Sequence, residues 1–299
     1  MLDWRIQVFK FAVLTRIPFG DFLRRLKRRH FGYEPDPDNI RVTLEAFDQM
    51  TAALKAAGRS FDGATVLEIG SGWFPTIPIK LTLDGAKAVV MTDLNHHMDD
   101  VTIAATLRVL RRSFPADHRL NALTDISDLP ITYLAPFDAR NVPDGSIDFV
   151  ISRTVLEHVP PGDLEGLLSI LRSKLKPDGL MVHFIDHSDH LEHQDKTISK
   201  LNFLTWSVRE HNLVNYLIKA GENRLRHHEY PALFERAGLR VVSDVAHVHE
   251  QTLERVATLS LAKPYSEMSA VQLSALSSIY VLASGAAGHH QSDGLFEGL

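Results

Sequence analysis

The 299-residue chain contains no cysteine. That single absence excludes disulfides, a thiolate nucleophile and every cysteine-ligated zinc centre. A surplus of positive charge is missing too: the formal net charge is −5 and the isoelectric point is near 6.3, so no broad basic field exists to hold nucleic acid. No apolar run approaches the length that crosses a bilayer, and the N-terminus lacks the basic, apolar, small-residue order of a secretion signal. These absences read as a cytoplasmic protein. Internal repeats and low-complexity tracts are also lacking. What remains, 44% hydrophobic and 23% charged residues, is the composition of one large globular domain with additions.

The first 39 residues differ in character from the rest. Aromatic and aliphatic residues there interleave with Arg5, Lys10, Arg16, Arg24, Arg25, Lys27, Arg28 and Arg29, opposed only by Asp3 and Asp21 as far as Phe31. The segment reads as an N-terminal helical extension over residues 1–39. Its basic side chains either face water beside the main domain or lie on an anionic membrane, a peripheral contact at the inner face. The turn-rich stretch YEPDPDN follows.

From residue 40 the pattern alternates. A helical stretch, Ile40 to Ala57, precedes an apolar run rich in strand formers, Ala64 to Gly70. Further strand-like runs occupy residues 86–94, 146–152, 179–186, 240–248 and 277–284, with a third strand expected to end at Asp138. Helical stretches lie between them, so the class is α/β with a mostly parallel sheet covered on both faces. Residues 202–238 are too long for a simple crossover and are expected to form a helical lid or acceptor segment. The domain is expected to span 40–286, and the glycine-rich tail 287–299 to be loose.

The chemistry starts at VLEIGSGWFP, Val66 to Pro75. A buried strand ending in Gly-Ser-Gly lets the backbone turn sharply and come close to a ligand at the carboxyl end of the sheet. Asp93 ends the next strand, where a carboxylate can accept both hydroxyls of a ribose. Asp138 is placed to receive an exocyclic amino group such as that of adenine. Glu68, two residues before Gly70, can meet a cationic amino group. A nicotinamide-binding Rossmann domain also uses a glycine turn and a later acidic residue, but its third glycine or alanine is replaced here by Pro75.

These elements in order, ExGxG at Glu68 to Gly72, the acidic strand end at Asp93, Asp138-Ala139 before PDGSID, and ISRTVLEHV at Ile151 to Val159, resemble the class I S-adenosylmethionine-dependent methyltransferases, specifically the type 11 group. The resemblance spans Ala64 to Ser284. It implies a seven-strand Rossmann-like sheet with S-adenosyl-L-methionine as cofactor. It places Glu68, Gly70, Ser71 and Gly72 beside the methionine part, Asp93 and Leu94 at the ribose side, Asp138 and Ala139 at the adenine, and Ser152 at the end of the fourth strand. Two positions depart from the pattern: Trp73-Phe74-Pro75 replaces smaller residues, and a charged Arg153 follows Ser152. A protein that binds the cofactor without turning it over is the alternative of a different class.

The acceptor side is expected on MVHFIDHSDHLEHQDK, Met181 to Lys196. Strand alternation puts His183 inside the sheet layer, a buried hydrogen-bonded position, while Asp186 and His187 fall at the strand tip. Methyl transfer to a hydroxyl gains from a base that takes its proton, and histidine suits that task. His187 or His190 is the expected base, with Asp186 or Asp189 orienting it, against a merely solvated polar loop. A divalent ion on His187, Asp189, His190, Glu192 and His193 is a third reading, although the spacing matches no closed zinc pattern. His158 in LEHV reads as a structural partner of the fourth strand. Arg224, Arg226, His227 and His228 are candidates to hold an anionic or polyhydroxylated acceptor. SDH, NFL and NRLRHHEYPALF together resemble a set found in methyltransferases of surface-polysaccharide biosynthesis. The expected acceptor is therefore a small molecule or glycan intermediate, methylated on oxygen.

Overall fold

The computed structural model describes residues 3–14, 16–17, 34–219 and 221–285. The basic run at 24–29 and the expected tail at 287–299 thus lie outside the described residues. Helix α1 (Trp4–Leu14) precedes α2 (Pro37–Ala56), which begins where the Asp36 side chain accepts Asp38 N and Pro37 occupies the first turn. Strand β1 (Thr65–Ile69) leads into α3 (Thr76–Leu83), β2 (Ala88–Thr92), α4 (Asp100–Ser113) and the short α5 (His118–Ala122). Strands β3 (Ile131–Leu134) and β4 (Ile147–Arg153), helix α6 (Pro161–Lys174) and β5 (Leu175–Asp186) follow. After β5 come α7 (Val208–Ile218), α8 (Tyr230–Arg236), β6 (Leu239–Val248), α9 (Glu250–Arg255), α10 (Ala270–Ser274) and β7 (Ala275–Ser284).

Seven strands form one sheet in the order β3-β2-β1-β4-β5-β7-β6, with β7 antiparallel to both neighbours and the other pairings parallel. Alternation along the central strands explains why both faces are apolar. Val66, Phe149, Ile151, Val182 and Val281 point to α2 and α3, where Phe47, Met50, Leu54 and Leu81 bury. Their neighbours Leu67, Val150, Met181 and Leu282 point to α6 and α8, against Leu164, Leu168 and Phe234. Each such fully buried side chain contributes about 1.5–3 kcal/mol, so the sheet centre is rigid and its loops are placed from it.

The third strand is shorter than the sequence suggests. It stops at Leu134, and Asp138 lies four residues beyond it, where its side chain accepts Arg140 N at the start of a 3₁₀ turn. Pro136, preceded by a cis peptide, lacks the N–H a ladder needs. Residues 202–238 contain α7 and α8 joined by coil, and polar side chains pin that coil to the strand-end loops. Asn223 Nδ2 donates to Leu156 O and Val159 O, and Arg224 Nη1 donates to Phe203 O and Trp206 O.

Candidate active site

The glycine turn after β1 is built by backbone geometry. Gly70 and Gly72 have φ of +70° and +66°, where side chains are strained, and a Cβ on Gly70 would stand 2.5 Å from Val155 Cγ2. Around Gly72 an added Cβ would meet nothing within 4 Å, so this backbone faces open space that a ligand can fill. The turn is tied to the end of β2: Gly72 N donates to Asp93 Oδ2 at 3.0 Å and Ser71 N donates to Thr92 O at 2.9 Å. Asp93 also accepts Asn95 N on its other oxygen.

Two cavities flank this turn. One, of about 250 Å³, is lined by Glu68, Gly70, Ser71, Gly72 and Arg153. Glu68 is 5% exposed, and its Oε2 has no hydrogen-bond partner. Burial pushes the Glu68 carboxyl up to about 7, with the nearby Asp93 charge adding to the shift. Arg153, which lines the same cavity, has an unpartnered Nε. A buried carboxyl and a guanidinium facing one small space offer complementary charges to an ammonium and a carboxylate, the two ends of an amino acid. The second cavity, of about 540 Å³, is mainly apolar, lined by Asp93, Leu94, Phe137, Val155 and Leu167 among others. Leu94 is 80% exposed at its rim, an apolar side chain without a protein face to cover it.

A third cavity, also about 540 Å³, opens over the end of β5 and is lined by His158, Asp186, Ser188, His190, His193 and Lys200. Thr154 lines all three cavities, and its φ of +52° is a strained value for a β-branched residue. Thr154 N donates to Phe184 O, which fixes this turn against β5. His158 lines both larger cavities, beyond the structural role that its tetrapeptide suggests.

A chain with these features fits S-adenosylmethionine: unpaired Glu68 and Arg153 for its amino acid end, the open approach at Gly72, Asp93 at the middle and an apolar slot beyond. A family model described as a methyltransferase domain matches residues 44–244. The protein belongs to the methyltransferase domain family. It is an S-adenosylmethionine-dependent methyltransferase, and the match decides against the nicotinamide alternative, whose usual sheet order has no antiparallel strand between the fifth and sixth. No curated protein matches the sequence of this methyltransferase. Among solved structures it is similar to an S-adenosylmethionine-dependent methyltransferase from Mesorhizobium loti, at 17% identity and a TM-score of 0.44, covering 77% of this chain and 95% of that one. It is also similar to the geranyl diphosphate C-methyltransferase of Streptomyces coelicolor A3(2), at 14% identity and a TM-score of 0.44, covering 79% and 78%. These likenesses are distant, and the family assignment rests on the sequence match.

Of the residues expected to hold the cofactor, Glu68, Gly70, Ser71, Gly72, Asp93 and Leu94 line the first two cavities. Three others do not. Ser152 is fully buried and its Oγ is hydrogen-bonded to His183 Nδ1 at 2.8 Å, because its side chain alternates into the sheet face that packs on α6. Asp138 is paired with the Arg140 guanidinium at 2.6 Å, which holds its carboxyl at about 2, and it and Ala139 stand outside the cavity that their neighbour Phe137 lines.

The histidine-rich loop divides in the same way. His187 is 3% exposed, with Nε2 against Ser278 Oγ at 2.8 Å and Nδ1 against Leu225 O at 3.2 Å. Burial pushes its imidazole well below the usual range, with Arg226 and His227 adding to the shift. Both ring nitrogens are engaged away from the cavities, which corrects the expectation that it is a base. Asp189 is equally inward, accepting Leu191 N and the Asn202 amide, and Glu192 pairs with Lys196 and Lys200. The five-residue metal set therefore does not converge. Among the described residues, the group whose ligand atoms lie within 4.8 Å of one another is Glu157, His158 and His190. Arg224 and Arg226 are absorbed by structure as well: buried Arg226 donates to the carbonyls of His187, Leu273 and Ala275.

His190 and Asp186 do face the third cavity together, with His190 Nε2 3.7 Å from Asp186 Oδ2 and 3.9 Å from Glu222 Oε1. Burial depresses the His190 imidazole to about 4, with Asp186 opposing the shift, so the ring is neutral at pH 7. Glu222 was not read as a site residue. Burial raises its carboxyl to about 9, with Asp189 adding to the shift, and its oxygen accepts His190 N at 3.3 Å. Sequence offered no signal for it, because GEN between two helical stretches looks like an ordinary turn.

Proposed function

We propose that this methyltransferase methylates a hydroxyl oxygen of a sugar, a glycan intermediate or a related polar acceptor, with His190 taking the proton and Asp186 orienting the ring. The observation that carries the reading is the polar third cavity meeting the cofactor cavities at Thr154 while presenting a neutral His190 beside Asp186. The cofactor supplies a methyl group on a positively charged sulfur, which needs alignment more than activation. The chain's own work is to bind and to move one proton. Glu68 and Arg153 hold the amino acid end, Asp93 the ribose, and Leu94 with Phe137 the base. The His190 ring, 3.7 Å from the Asp186 carboxylate, takes the proton, and the imidazolium that forms is stabilised by that adjacent charge.

The link to surface polysaccharides rests on the SDH, NFL and NRLRHHEYPALF resemblance. The part of it that lies at the cavity is Ser188 and His190. Residues 202–238 would act as the acceptor-side wall, through Glu222 on His190. The test is formation of S-adenosylhomocysteine with a panel of nucleotide sugars and free sugars, each paired with the deoxy analogue that lacks one hydroxyl. Turnover that disappears with one particular deoxy analogue supports the reading and names the oxygen. Turnover only with amines or carbon nucleophiles would sink it.

A further inference from the structure

Two helices outside the sheet expose apolar side chains that the methyl-transfer chemistry does not use. On α1, Ile6, Phe9 and Val13 recur at helical spacing and are exposed, Phe9 by 71%. On α7 the exposed stripe is Arg209, Leu213 and Tyr216, with Tyr216 exposed by 70%. The opposite side of α1 is already satisfied: Gln7 and Val8 are buried, and the Trp4 ring stacks on Trp206 at 5.1 Å. Arg16 joins the two helices, its guanidinium lying 5.1 Å from the Tyr216 ring centroid and donating to Leu217 O.

We propose that the exposed faces of α1 and α7 together form a surface that docks on an anionic lipid bilayer, and that the acceptor is carried on a lipid in that bilayer. Charge selects the occupant. Helix α1 contains Arg5 and Lys10 and no acidic residue, Arg16 follows it, and Asp3 is the one acid between residues 3 and 17. Arg5 pairs with Asp3 at 3.6 Å, and on α7 Arg209 is offset by Glu210, which leaves Lys10 and Arg16 as the surplus charge beside the apolar side chains of a chain that carries −5 overall. Phenylalanine and isoleucine beside arginine and lysine on α1, with leucine and tyrosine on α7, suit a surface lying in the headgroup region. Eleven residues of helix reach only about 16 Å, too short to cross, so the surface lies on the membrane rather than through it.

Position ties the surface to the acceptor cavity. Trp4 N donates to Asp195 Oδ2 at 2.9 Å, two residues after His193, which lines that cavity. Just beyond α7, Glu222 accepts His190 N, and Asn215 of α7 donates to Glu222 O. A bilayer against α1 and α7 would therefore stand beside the loop that binds the acceptor, where a lipid-linked headgroup can enter. The lipid-linked acceptor rests on the proposed O-methylation, whereas docking does not, so the two fail separately.

The experiment is co-flotation of the intact protein with vesicles of phosphatidylcholine alone and of phosphatidylcholine with phosphatidylglycerol. It is run for the wild type, for Phe9→Asp with Tyr216→Asp, and for Arg5→Glu with Lys10→Glu. Thermal midpoint and S-adenosylmethionine binding are measured on each sample to show that the fold is kept. The expected result is binding to the phosphatidylglycerol vesicles only, reduced roughly tenfold or more in both double variants and weakened by salt. Equal partition of the folded variants and the wild type would overturn the proposal, as would no flotation by the wild type. A concentration-dependent dimer abolished by the same substitutions would also overturn it, by giving the face to a second copy of the chain. If docking holds, methyl label from S-adenosylmethionine appears in the lipid extract of vesicles carrying lipid-linked sugars. Label confined to free sugars would overturn the lipid-linked acceptor alone.

Discussion

His190 Nε2 lies 3.7 Å from Asp186 Oδ2, while His187, three residues earlier, spends both ring nitrogens on Ser278 and Leu225. One loop thus carries two histidines of opposite use, one held open beside a carboxylate in a polar cavity and one buried as a structural strut.

Replacing His190 with alanine should lower kcat by about 10²- to 10⁴-fold, the usual worth of a positioned base, while S-adenosylmethionine binding stays near wild type. Calorimetric cofactor titration beside turnover separates the two effects. Equal losses in binding and turnover would assign His190 to the cofactor instead.

His187→Ala should behave as a folding lesion. It leaves Ser278 Oγ and Leu225 O without their partner in a buried site, a loss of roughly 1–3 kcal/mol that a denaturant titration reads. Whatever protein remains folded should turn over normally.

Cofactor affinity should rise with pH through about 7. Below that value free Glu68 carries a proton and offers the ammonium no charge; above it the carboxylate is present. Glu68→Gln should weaken binding at alkaline pH and flatten the profile, readable from Kd measured between pH 5.5 and about 8.5.

Glu222 gives a stability test with the opposite sense. Its folded value is raised to about 9, so its contribution is fully present below the ordinary glutamate range and is lost as pH rises through 9. Glu222→Gln, which keeps an oxygen for His190 N, should be more stable than wild type at pH 8, by on the order of 1–3 kcal/mol. At pH 4 the difference should vanish.

The sheet was legible because its central strands are apolar runs, β1 stopping before Gly70 and β5 at Asp186, a pattern that burial on both faces imposes. Six of the expected cofactor residues line the two cavities beside the glycine turn, since a glycine turn fixes its own backbone. Asp138 was misplaced because a proline ended its strand early. Ser152 and His187 were misread because alternation and long-range contact, not local spacing, decide which way a side chain at a strand end points. His187 finds Ser278 across 91 residues and Arg226 finds Ala275 across 49, and no local pattern encodes those meetings. The same holds for Glu222, which meets His190 of the loop after β5 only once the segment beyond α7 is in place.

Chelation bears on the Glu157, His158 and His190 group. With His190 as a base, turnover should be unchanged by EDTA and by added divalent ions. Loss with EDTA and recovery with one metal would convert that group from a proton-handling site into a metal site.

The central claim is most directly tested by transfer of labelled methyl from S-adenosylmethionine into polar and lipid extracts, with wild type and His190→Gln side by side. The account predicts label on an ether oxygen, stable to alkali and formed at least a hundredfold more slowly by the variant. Label on nitrogen or carbon, or equal rates from the two proteins, would contradict it.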